Sequence, residues 1–445
     1  MAEIRPFRGI RYHLEKLGGD AGKLVSPPYD VIDDQMQQAL YDGHPNNVVR
    51  IIQGKEEVGD SATEHKYTRA ADCFKGWQGS GDLLKDDAPS IYVYAQDFQA
   101  QTPDGPVSKT RWGIVTLVKI EPLGEGSILP HEHTMPGPKA DRLELMRHTG
   151  GAFGQIFSLY SDPEHKVQAL INTQVGGDPL FEYVDGEGVT HKFWQMTDQE
   201  ALSGIVEVLR DKPLFIADGH HRYETSVTYR NERMVAEGVT DASDKPYGFG
   251  MQTLVNMDDS DGLAVNPINR VVVDLGEGGI AALEGGLAEF FNVEEQSFAS
   301  SSEVMKALES RKSGPPVLAM CVGDLSRVLL LTLKDGVDLS ALDAEGHSEA
   351  WQKLDTALLQ ITLGKVLDLD TETLIKGEKV QFVKVEADVL KIVSGANDRV
   401  GFFLNSTGMD QLRAVVLNDE RMPPKSTFFY PKVYSGLVMQ DLNEF

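Results

Sequence analysis

The segment from Pro213 to Glu224 constrains the fold more than any other part of the chain. Leu214 to Ala217 are apolar or small and predict a short buried strand, whereas Tyr223 to Glu237 predict a helix that Gly238 ends. The residues between them, Asp218-Gly-His-His-Arg222, predict a sharp polar turn. Free backbone N–H groups point outward at the start of such a helix and its dipole favours negative charge, so the segment also predicts an anion site.

Arg222 supports the same interpretation. A guanidinium suits bidentate binding of phosphate or carboxylate. Its positive charge in the first helical turn opposes the helix dipole, and a bound anion would explain it. The alternative is structural, because a glycine turn between a strand and a helix is common, and His220 and His221 are then surface residues or a hydrogen-bonded pair.

Two carboxylates, Asp218 and Glu224, flank this candidate anion site. A carboxylate beside a phosphate can hold Mg²⁺ or act as a general base toward a hydroxyl. The structural alternative is that Asp218 orients His220 or Arg222, or caps the helix by accepting a backbone N–H. The residues alone leave both roles open.

A second candidate group is His131-Glu132-His133. On a strand or extended loop the two imidazoles face the same side, which suits two metal ligands or an acid/base pair, so His133 is a candidate metal ligand and Zn²⁺ stays open. In a regular strand Glu132 would point away. Surface histidines are the alternative here, and for the nearby Asp141 and Arg142 it is a local ion pair.

Composition restricts the class of protein. A chain of 445 residues predicts two or three domains, and a net charge of −26 argues against a nucleic-acid partner. No apolar run reaches membrane-spanning length and the first residues lack a signal-peptide core. Cys73 and Cys321 provide neither a disulfide framework nor a thiolate metal site. We therefore expect a cytoplasmic protein that acts on a small molecule.

The composition changes at Leu275-Gly-Glu-Gly-Gly279, which predicts a boundary between residues 1–275 and residues 276–445. Beyond it, helical and strand patterns alternate, which predicts an α/β or α+β architecture. The final segment, Met422 to Lys432, is too rich in proline for a central strand and too aromatic for disorder, so we expect it to pack back against the body with Lys425 near the anion site.

Four local patterns predict elements of the first part of the chain. They are a capped helix from Asp60-Ser61 to Gln78, a hairpin of Ser90–Phe98 and Arg111–Ile120, a short helix over Asp141–His148, and a capping box at Thr197–Glu200.

With these motifs assembled, the chain closely resembles the family called domain of unknown function 1015. The matching blocks are Ser26–Ile32, Asn47–Arg50, His131–Thr134 with Asp141-Arg142, Ala217–Thr225 and Pro424–Lys432. Two positions differ from the expected pattern, because Asn269 and Gln360 stand where relatives are expected to carry histidine.

The segment Asp218–Arg222 is also similar to the phosphate-binding turn of the ParB/sulfiredoxin-like fold. The nearest match within that fold is the turn of free-serine kinases. The resemblance implies an α/β nucleotide-binding core with a second α/β domain, a nucleotide and Mg²⁺ as cofactors, and no sulfiredoxin chemistry, since no thiol lies in the turn. The implied catalytic residues are Asp218, His220, His221, Glu224, His131 and Glu132. Gly219 and Arg222 are the phosphate-binding residues that the turn implies, and the further candidates for binding phosphate or substrate are Arg270, Arg142, Tyr29, Asp30 and Lys425.

Three functions follow as hypotheses. The first is a phosphotransferase or phosphohydrolase acting on a small hydroxyl or phosphorylated metabolite such as serine or phosphoserine. The second is a nucleotide-binding switch without turnover. The third is a metal-assisted hydrolase built on His131 and His133, with His220 or His221 as a possible further ligand.

Overall fold

The structure is a computed structural model that describes residues 2–134, 136–369, 373 and 379–445. The strands in chain order are β1 (Ile4–Arg5), β2 (Ile10–Tyr12), β3 (Leu83–Lys85), β4 (Ile91–Thr102), β5 (Gly105–Lys119), β6 (Ile128–Pro130), β7 (Gly151–Ala152), β8 (Ile156–Tyr160), β9 (Phe181–Val184), β10 (Thr190–Met196), β11 (Leu214–Asp218), β12 (Phe249–Asn256), β13 (Ala264–Asn266), β14 (Asn269–Val272), β15 (Phe291–Gln296), β16 (Val317–Val322), β17 (Asp324–Leu333), β18 (Val380–Val383), β19 (Val400–Phe403), β20 (Phe428–Tyr430) and β21 (Gln440–Asp441).

The helices of the same described residues are α1 (Asp34–Gly43), α2 (Val49–Ile52), α3 (Lys66–Ser80), α4 (Pro136–Thr149), α5 (Lys166–Asn172), α6 (Gln199–Leu209), α7 (His220–Glu237), α8 (Gly279–Phe290), α9 (Ser301–Glu309), α10 (Leu339–Leu342), α11 (Glu349–Gln352), α12 (Asp355–Leu367), α13 (Glu386–Val393) and α14 (Met409–Leu417). In this part of the chain no helix is long and apolar enough to cross a membrane.

The first large sheet has the strand order β6-β11-β8-β12-β5-β4-β10-β9, and β1 pairs with β5 beside this path. It is mixed, since β11 runs parallel to β6 and antiparallel to β8, while β12 runs parallel to β8. Because side chains alternate along a strand, each face of the sheet is covered separately. Residues of α6 and the first turn of α7, including Leu202, Ile205 and Tyr223, pack on one face.

The second sheet has the order β15-β17-β16-β19-β14-β18. It includes β14 (Asn269–Val272), which lies before the boundary predicted at residues 275 and 276. Residues of α8 and α12 pack on one face, represented by Leu283 and Leu358. Residues of α9 and α13 pack on the other face, represented by Val304 and Val389. The mixed α/β fold class predicted from the sequence is confirmed, and the division at residues 275 and 276 stays a prediction about domains.

The last part of the chain returns to the first sheet. β21 pairs with β7, and β20 pairs with β13. Phe429, Val433, Leu437 and Val438 are buried in the core that also holds Tyr92 of β4. The expectation that the aromatic segment packs against the body is therefore confirmed, and this segment brings its lysines to the start of α7.

Several local predictions are confirmed with shifted ends. The predicted strand and helix on either side of Asp218 are β11 and α7, and Gly238 ends α7 in the left-handed conformation. The predicted hairpin is β4 and β5, which continue pairing as far as Thr102 and Gly105. The predicted short helix is α4, which is longer at its start than the pattern indicated.

Two predicted helix starts are wrong. Ser61 does not begin a helix: its hydroxyl accepts the backbone N–H of Glu64 at 3.1 Å in a local turn, and α3 begins later, after His65. The cap of α6 is Asp198 and not Thr197, because the Asp198 carboxylate accepts the backbone N–H of Ala201 at 2.9 Å. At α6 a neighbouring carboxylate makes the bond that the pattern assigned to the Thr197 hydroxyl, whereas the Ser61 hydroxyl makes its bond without starting a helix.

Candidate functional site

The turn between β11 and α7 is a single residue. Gly219 has a φ of 91° and precedes the helix directly, so the first helical residue is His220 and the polar turn is shorter than predicted. A Cβ at Gly219 would lie 3.0 Å from the guanidinium of Arg222. Glycine is needed here for its left-handed backbone and also for the space that Arg222 occupies. The backbone N–H groups of the first turn of α7 stay directed away from the helix.

Asp218 is held between two cations at the end of β11. Arg222 Nη2 donates to its Oδ2 at 2.8 Å, and Lys432 Nζ donates to its Oδ1 at 2.9 Å. Burial raises the pKa of Asp218, but Lys432 and Arg222 lower it by more. The net pKa therefore lies well below its usual range. Asp218 is therefore an ionised carboxylate and a poor proton acceptor at neutral pH.

The charge of Arg222 does not need an external anion. Its second contact is the backbone carbonyl of Gln155, which accepts from Nη1. The sequence left open that Asp218 orients Arg222. The structure contains this contact. Asp218 therefore gives another explanation for the charge of Arg222, and the binding of phosphate by Arg222 stays a prediction.

His131 and His220 form a buried pair behind this carboxylate. Their ring centroids lie 4.6 Å apart, and the backbone N–H of His131 donates to His220 Nε2 at 3.3 Å. His131 Nδ1 lies 2.6 Å from the carbonyl of Ile216, so Nδ1 carries the proton, and Nε2 accepts the hydroxyl of Thr427 at 2.9 Å. Burial lowers the pKa of both histidines, so both are neutral at neutral pH.

His221 lies on the more open side of the same helix start. Burial lowers its pKa, Glu132 raises it, and Lys425 lowers it, which places all three residues within electrostatic reach of one another. Glu132 Oε1 accepts the backbone N–H of Lys425 at 2.9 Å, so the carboxylate fixes the loop that carries this lysine. His221 is therefore a neutral imidazole between acidic and basic side chains.

Glu224 lies one turn further along α7. Its Oε2 accepts the hydroxyl of Thr134 at 2.7 Å and the ammonium of Lys139 at 2.7 Å. Burial raises its pKa, whereas the hydrogen bonds from Lys139 and Thr134 lower it more, so Glu224 is ionised at neutral pH. This carboxylate ties α4 and the His131 loop to α7.

Three lysines, two from the final segment and one from the second sheet's surroundings, lie close to this point. Lys384 Nζ and Lys432 Nζ both lie 4.8 Å from the ring centroid of Phe428. Partial desolvation lowers the pKa of Lys384, and Lys432 and Lys425 lower it further, whereas Asp218 raises it. Lys384 follows β18 of the second sheet, whereas Lys425 and Lys432 belong to the final segment, so these two parts of the chain contribute cations to one place.

Arg270 donates to backbone carbonyls, and its expected binding of phosphate stays a prediction. Its Nη2 donates to the carbonyl of Lys425 at 2.9 Å, and its Nη1 donates to the carbonyl of Ile268 at 2.5 Å. Burial lowers its pKa to about 9. Arg270 and Gln360 line the same small cavity, while the amide oxygen of Asn269 accepts the backbone N–H of Leu404 at 3.2 Å. The two divergent positions thus lie near the loop that presents Lys425.

Arg142 and Tyr29 lie on the other side of Arg222. Arg142 Nε donates to Asp141 Oδ2 at 2.9 Å, the local ion pair that the sequence left as an alternative. The Arg142 guanidinium lies 4.1 Å from the centroid of the Tyr29 ring. With Arg222 they line one end of a mainly apolar cavity of about 70 Å³. Asp30 is exposed beside Tyr29.

The two histidines of His131-Glu132-His133 do not share a face. His131 is 1% exposed, whereas His133 is exposed and its Nδ1 lies 3.3 Å from Arg421 Nη1. Burial lowers the pKa of His133, and Arg421 lowers it further. Among the residues that the structure describes, no three histidine, cysteine or acidic side chains form a metal-binding group. The metal role of His133 stays a prediction.

The sequence analysis missed several side chains of this site. Lys432 was recognised as a second lysine of the final segment but was not assigned to the site, and Lys384, Lys139 and Arg421 were not considered. Nothing in the local sequence distinguishes Lys384 from the other lysines of the chain. The aromatic run ending at Tyr430 did indicate that this segment is anchored, and that signal could have placed Lys432 beside Lys425.

Comparison with known proteins shows the family. The chain belongs to the family described as protein of unknown function (DUF1015), whose model matches residues 4–357. No curated protein matches the chain.

Solved structures show distant similarity. A free serine kinase mutant in complex with AMP has a TM-score of 0.34 and 14% identity, covering 71% of this chain and 89% of that chain. SbnI with a C-terminal truncation, from Staphylococcus aureus, has a TM-score of 0.34 and 11% identity, covering 74% and 86%. A conserved hypothetical protein from Pyrococcus furiosus has a TM-score of 0.32 and 14% identity, covering 69% and 89%. At this distance neither a ligand nor a reaction transfers to this chain.

Proposed function

We propose that this protein binds a phosphorylated small molecule at the start of α7 and transfers or hydrolyses its phosphoryl group. The observation that carries the proposal is the convergence of Lys384, Lys425 and Lys432 on the Asp218–His221 turn. The chain as a whole has a net charge of −26, so three lysines at one point are unusual for it. Clustered cations beside a helix N-terminus are suited to a phosphate.

The lysines would neutralise the phosphoryl oxygens. Lys432 is partly occupied by Asp218, whereas Lys384 and Lys425 are exposed and have no carboxylate within ion-pair distance among the described residues. Phosphoryl transfer depends mainly on positioning and on stabilising the charge of the transferred group, and an array of ammonium groups supplies both. Asp218 would fix Lys432 and Arg222 in place rather than take part in proton transfer.

His221 is the best candidate for moving a proton. Its pKa is lowered by burial, so the imidazole is neutral at neutral pH and can accept a proton from a hydroxyl or a water. His220 is a poorer candidate, because its Nε2 accepts the backbone N–H of His131. The neutral His220 ring then carries its proton on Nδ1 and acts only as a hydrogen-bond donor.

A nucleotide would bring Mg²⁺ with its phosphates. Mg²⁺ in such sites usually keeps several waters and takes only one or two protein carboxylates, so it does not require a three-residue cage. Asp30 is the exposed carboxylate near His221 and Lys384 and is the residue that would hold the ion, which would neutralise the charge of the phosphates.

A thermal-shift screen tests the proposal. ATP, ADP, AMP, serine and phosphoserine are added with and without Mg²⁺, because a ligand that binds the folded state raises the melting temperature. We expect at least one phosphorylated compound to raise it and serine without phosphate to have a smaller effect. Formation of ADP from ATP with serine, or release of phosphate from phosphoserine, then separates an enzyme from a binding protein.

Matched variants locate the binding site. Lys384→Met should weaken the phosphorylated ligand about tenfold to hundredfold, the amount expected for one hydrogen bond to a charged group. The control is Lys391→Met on α13, whose side chain is 77% exposed and pairs with Asp388. Equal affinities in the two variants would show that the lysine cluster does not bind the ligand.

A further inference from the structure

The mainly apolar cavity of about 70 Å³ beside Arg222 has no part in the function proposed above. Its walls include the buried side chains of Met146, Phe153 and Phe249. Protein interiors are closely packed and leave few voids larger than a water molecule. Apolar cavities of roughly 150 Å³ bind benzene, so a cavity of this volume has room for a chain of about three or four carbon atoms.

Two hydroxyl groups in the lining of this cavity have no hydrogen-bond partner among the described residues. They belong to Tyr29, which is half-buried, and to Ser435, which is 3% exposed. Neither oxygen is among the fully enclosed unpaired side-chain atoms, so both keep surface that a ligand can reach. A buried hydroxyl normally has a partner, and these two therefore indicate a ligand that accepts hydrogen bonds.

Gly154 leaves space in front of these groups. Its φ is not in the left-handed range, so its backbone does not require glycine. A Cβ at Gly154 would lie 2.9 Å from Ser435 Oγ and 3.6 Å from Arg222 Nη1. The serine hydroxyl and the guanidinium thus face the same space. The backbone N–H of Ser435 donates to the carbonyl of Ser26 at 2.8 Å, which fixes the position of the hydroxyl.

The charges of the described lining are positive. The charged side chains that line the cavity are Arg142 and Arg222, whereas their carboxylate partners, Asp141 and Asp218, lie outside the lining. Burial raises the pKa of Tyr29, and Arg222 and Arg142 lower it, so both guanidiniums act on its hydroxyl. Two aspartates outside the lining act in the opposite direction and more weakly. This end of the cavity therefore favours a negative group.

We propose that the cavity binds a small aliphatic carboxylate, whose oxygens accept the hydroxyls of Tyr29 and Ser435 and whose tail lies among the apolar side chains. A carboxylate has two oxygens that only accept hydrogen bonds, and hydrogen bonds to a charged acceptor are the stronger ones. An alcohol lacks the charge, and an ammonium ion would bring donors to a set of donors. The site includes none of the three lysines proposed to bind phosphate, so either proposal can fail without the other.

A thermal-shift titration of the full chain at neutral pH tests the proposal with butanoate, acetate, butan-1-ol and butylammonium. Butanoate should bind about tenfold more tightly than acetate, because two more methylene groups are buried. It should also bind more tightly than the other two compounds, which keep the tail but lack the negative charge. The proposal is overturned if butanoate does not bind, or if any of the other three compounds binds as tightly.

Two variants locate the carboxylate. Tyr29→Phe keeps the ring that lies against Arg142, and Ser435→Ala removes the other hydroxyl. Both proteins should fold, because neither hydroxyl bonds to another described residue. Each variant should weaken butanoate at least about tenfold, as expected for one hydrogen bond to a charged group. The control is Tyr41→Phe, which loses a hydroxyl outside the cavity that accepts the backbone N–H of Lys55 at 3.0 Å and should leave butanoate binding unchanged.

Lys384→Met distinguishes this cavity from the lysine cluster. The variant should bind butanoate as tightly as the unaltered protein does, and a weaker affinity would place the anion at the lysines and overturn the proposal. An unchanged affinity in Tyr29→Phe or in Ser435→Ala overturns it as well, as does an equal loss in Tyr41→Phe.

Discussion

The ion pair between Lys432 and Asp218 gives a direct prediction for stability. Lys432 Nζ lies 2.9 Å from Asp218 Oδ1, and the two side chains are only 17% and 19% exposed. Removing one partner of a buried pair costs about 3–5 kcal/mol, because a charge is left without its counter-charge. Arg222 still contacts Asp218 at 2.8 Å, so we expect Lys432→Met to lower the free energy of unfolding by about 2 kcal/mol.

Urea denaturation at neutral pH measures this effect. Methionine keeps most of the aliphatic contact with Phe428, so the loss reports the charge rather than packing. The exposed control Lys391→Met should change the free energy of unfolding by less than about 0.5 kcal/mol. Lys432→Met should also cost less in an Asp218→Asn background, since the charge it balances is then absent. Equal losses in Lys432→Met and Lys391→Met, or full additivity with Asp218→Asn, would refute the reasoning.

Three further predictions concern the surroundings of the site. Arg270→Met should loosen the loop at Lys425, because two carbonyls lose their donor, and should speed proteolytic cleavage there; an unchanged cleavage rate contradicts this. Lowering the pH from 7 to 5 should reduce stability through His131 and His220. Their pKa values are lowered by burial, so the stability they give is present above the unfolded pKa of about 6.5 and is lost below it. A His131→Asn variant should show a weaker dependence of melting temperature on pH, and an equal dependence would contradict this assignment. Truncation before Met422 should prevent cooperative unfolding in circular dichroism, since the removed segment contributes several fully buried side chains to the first core.

The parts predicted well from the sequence are those that local residues determine. The strand, the glycine turn and the helix around Asp218 depend on neighbouring residues, and the structure contains them with small shifts. The start of α6 shows the limit of such patterns, because Thr197 and Asp198 are both good caps and only the structure shows which one accepts the bond.

The composition of the site could not be predicted in the same way. The contact between Glu132 and Lys425 joins residues 293 positions apart, and Lys384 follows a strand of the second sheet. Sequence analysis also expected Arg270 to bind phosphate, and it could not show that the guanidinium donates to the backbone carbonyl of Lys425. Which cations meet a ligand depends on how the two sheets and the final segment pack.

The central claim is that the lysine cluster recognises phosphate. It is tested most directly by calorimetric titration of two ligand pairs, ADP with adenosine and phosphoserine with serine, on the unaltered protein and on Lys384→Met. The proposed function predicts that the phosphorylated member of at least one pair binds more tightly, and that Lys384→Met removes this preference while Lys391→Met keeps it. Equal binding within both pairs, or a phosphate preference that survives in Lys384→Met, would contradict the claim.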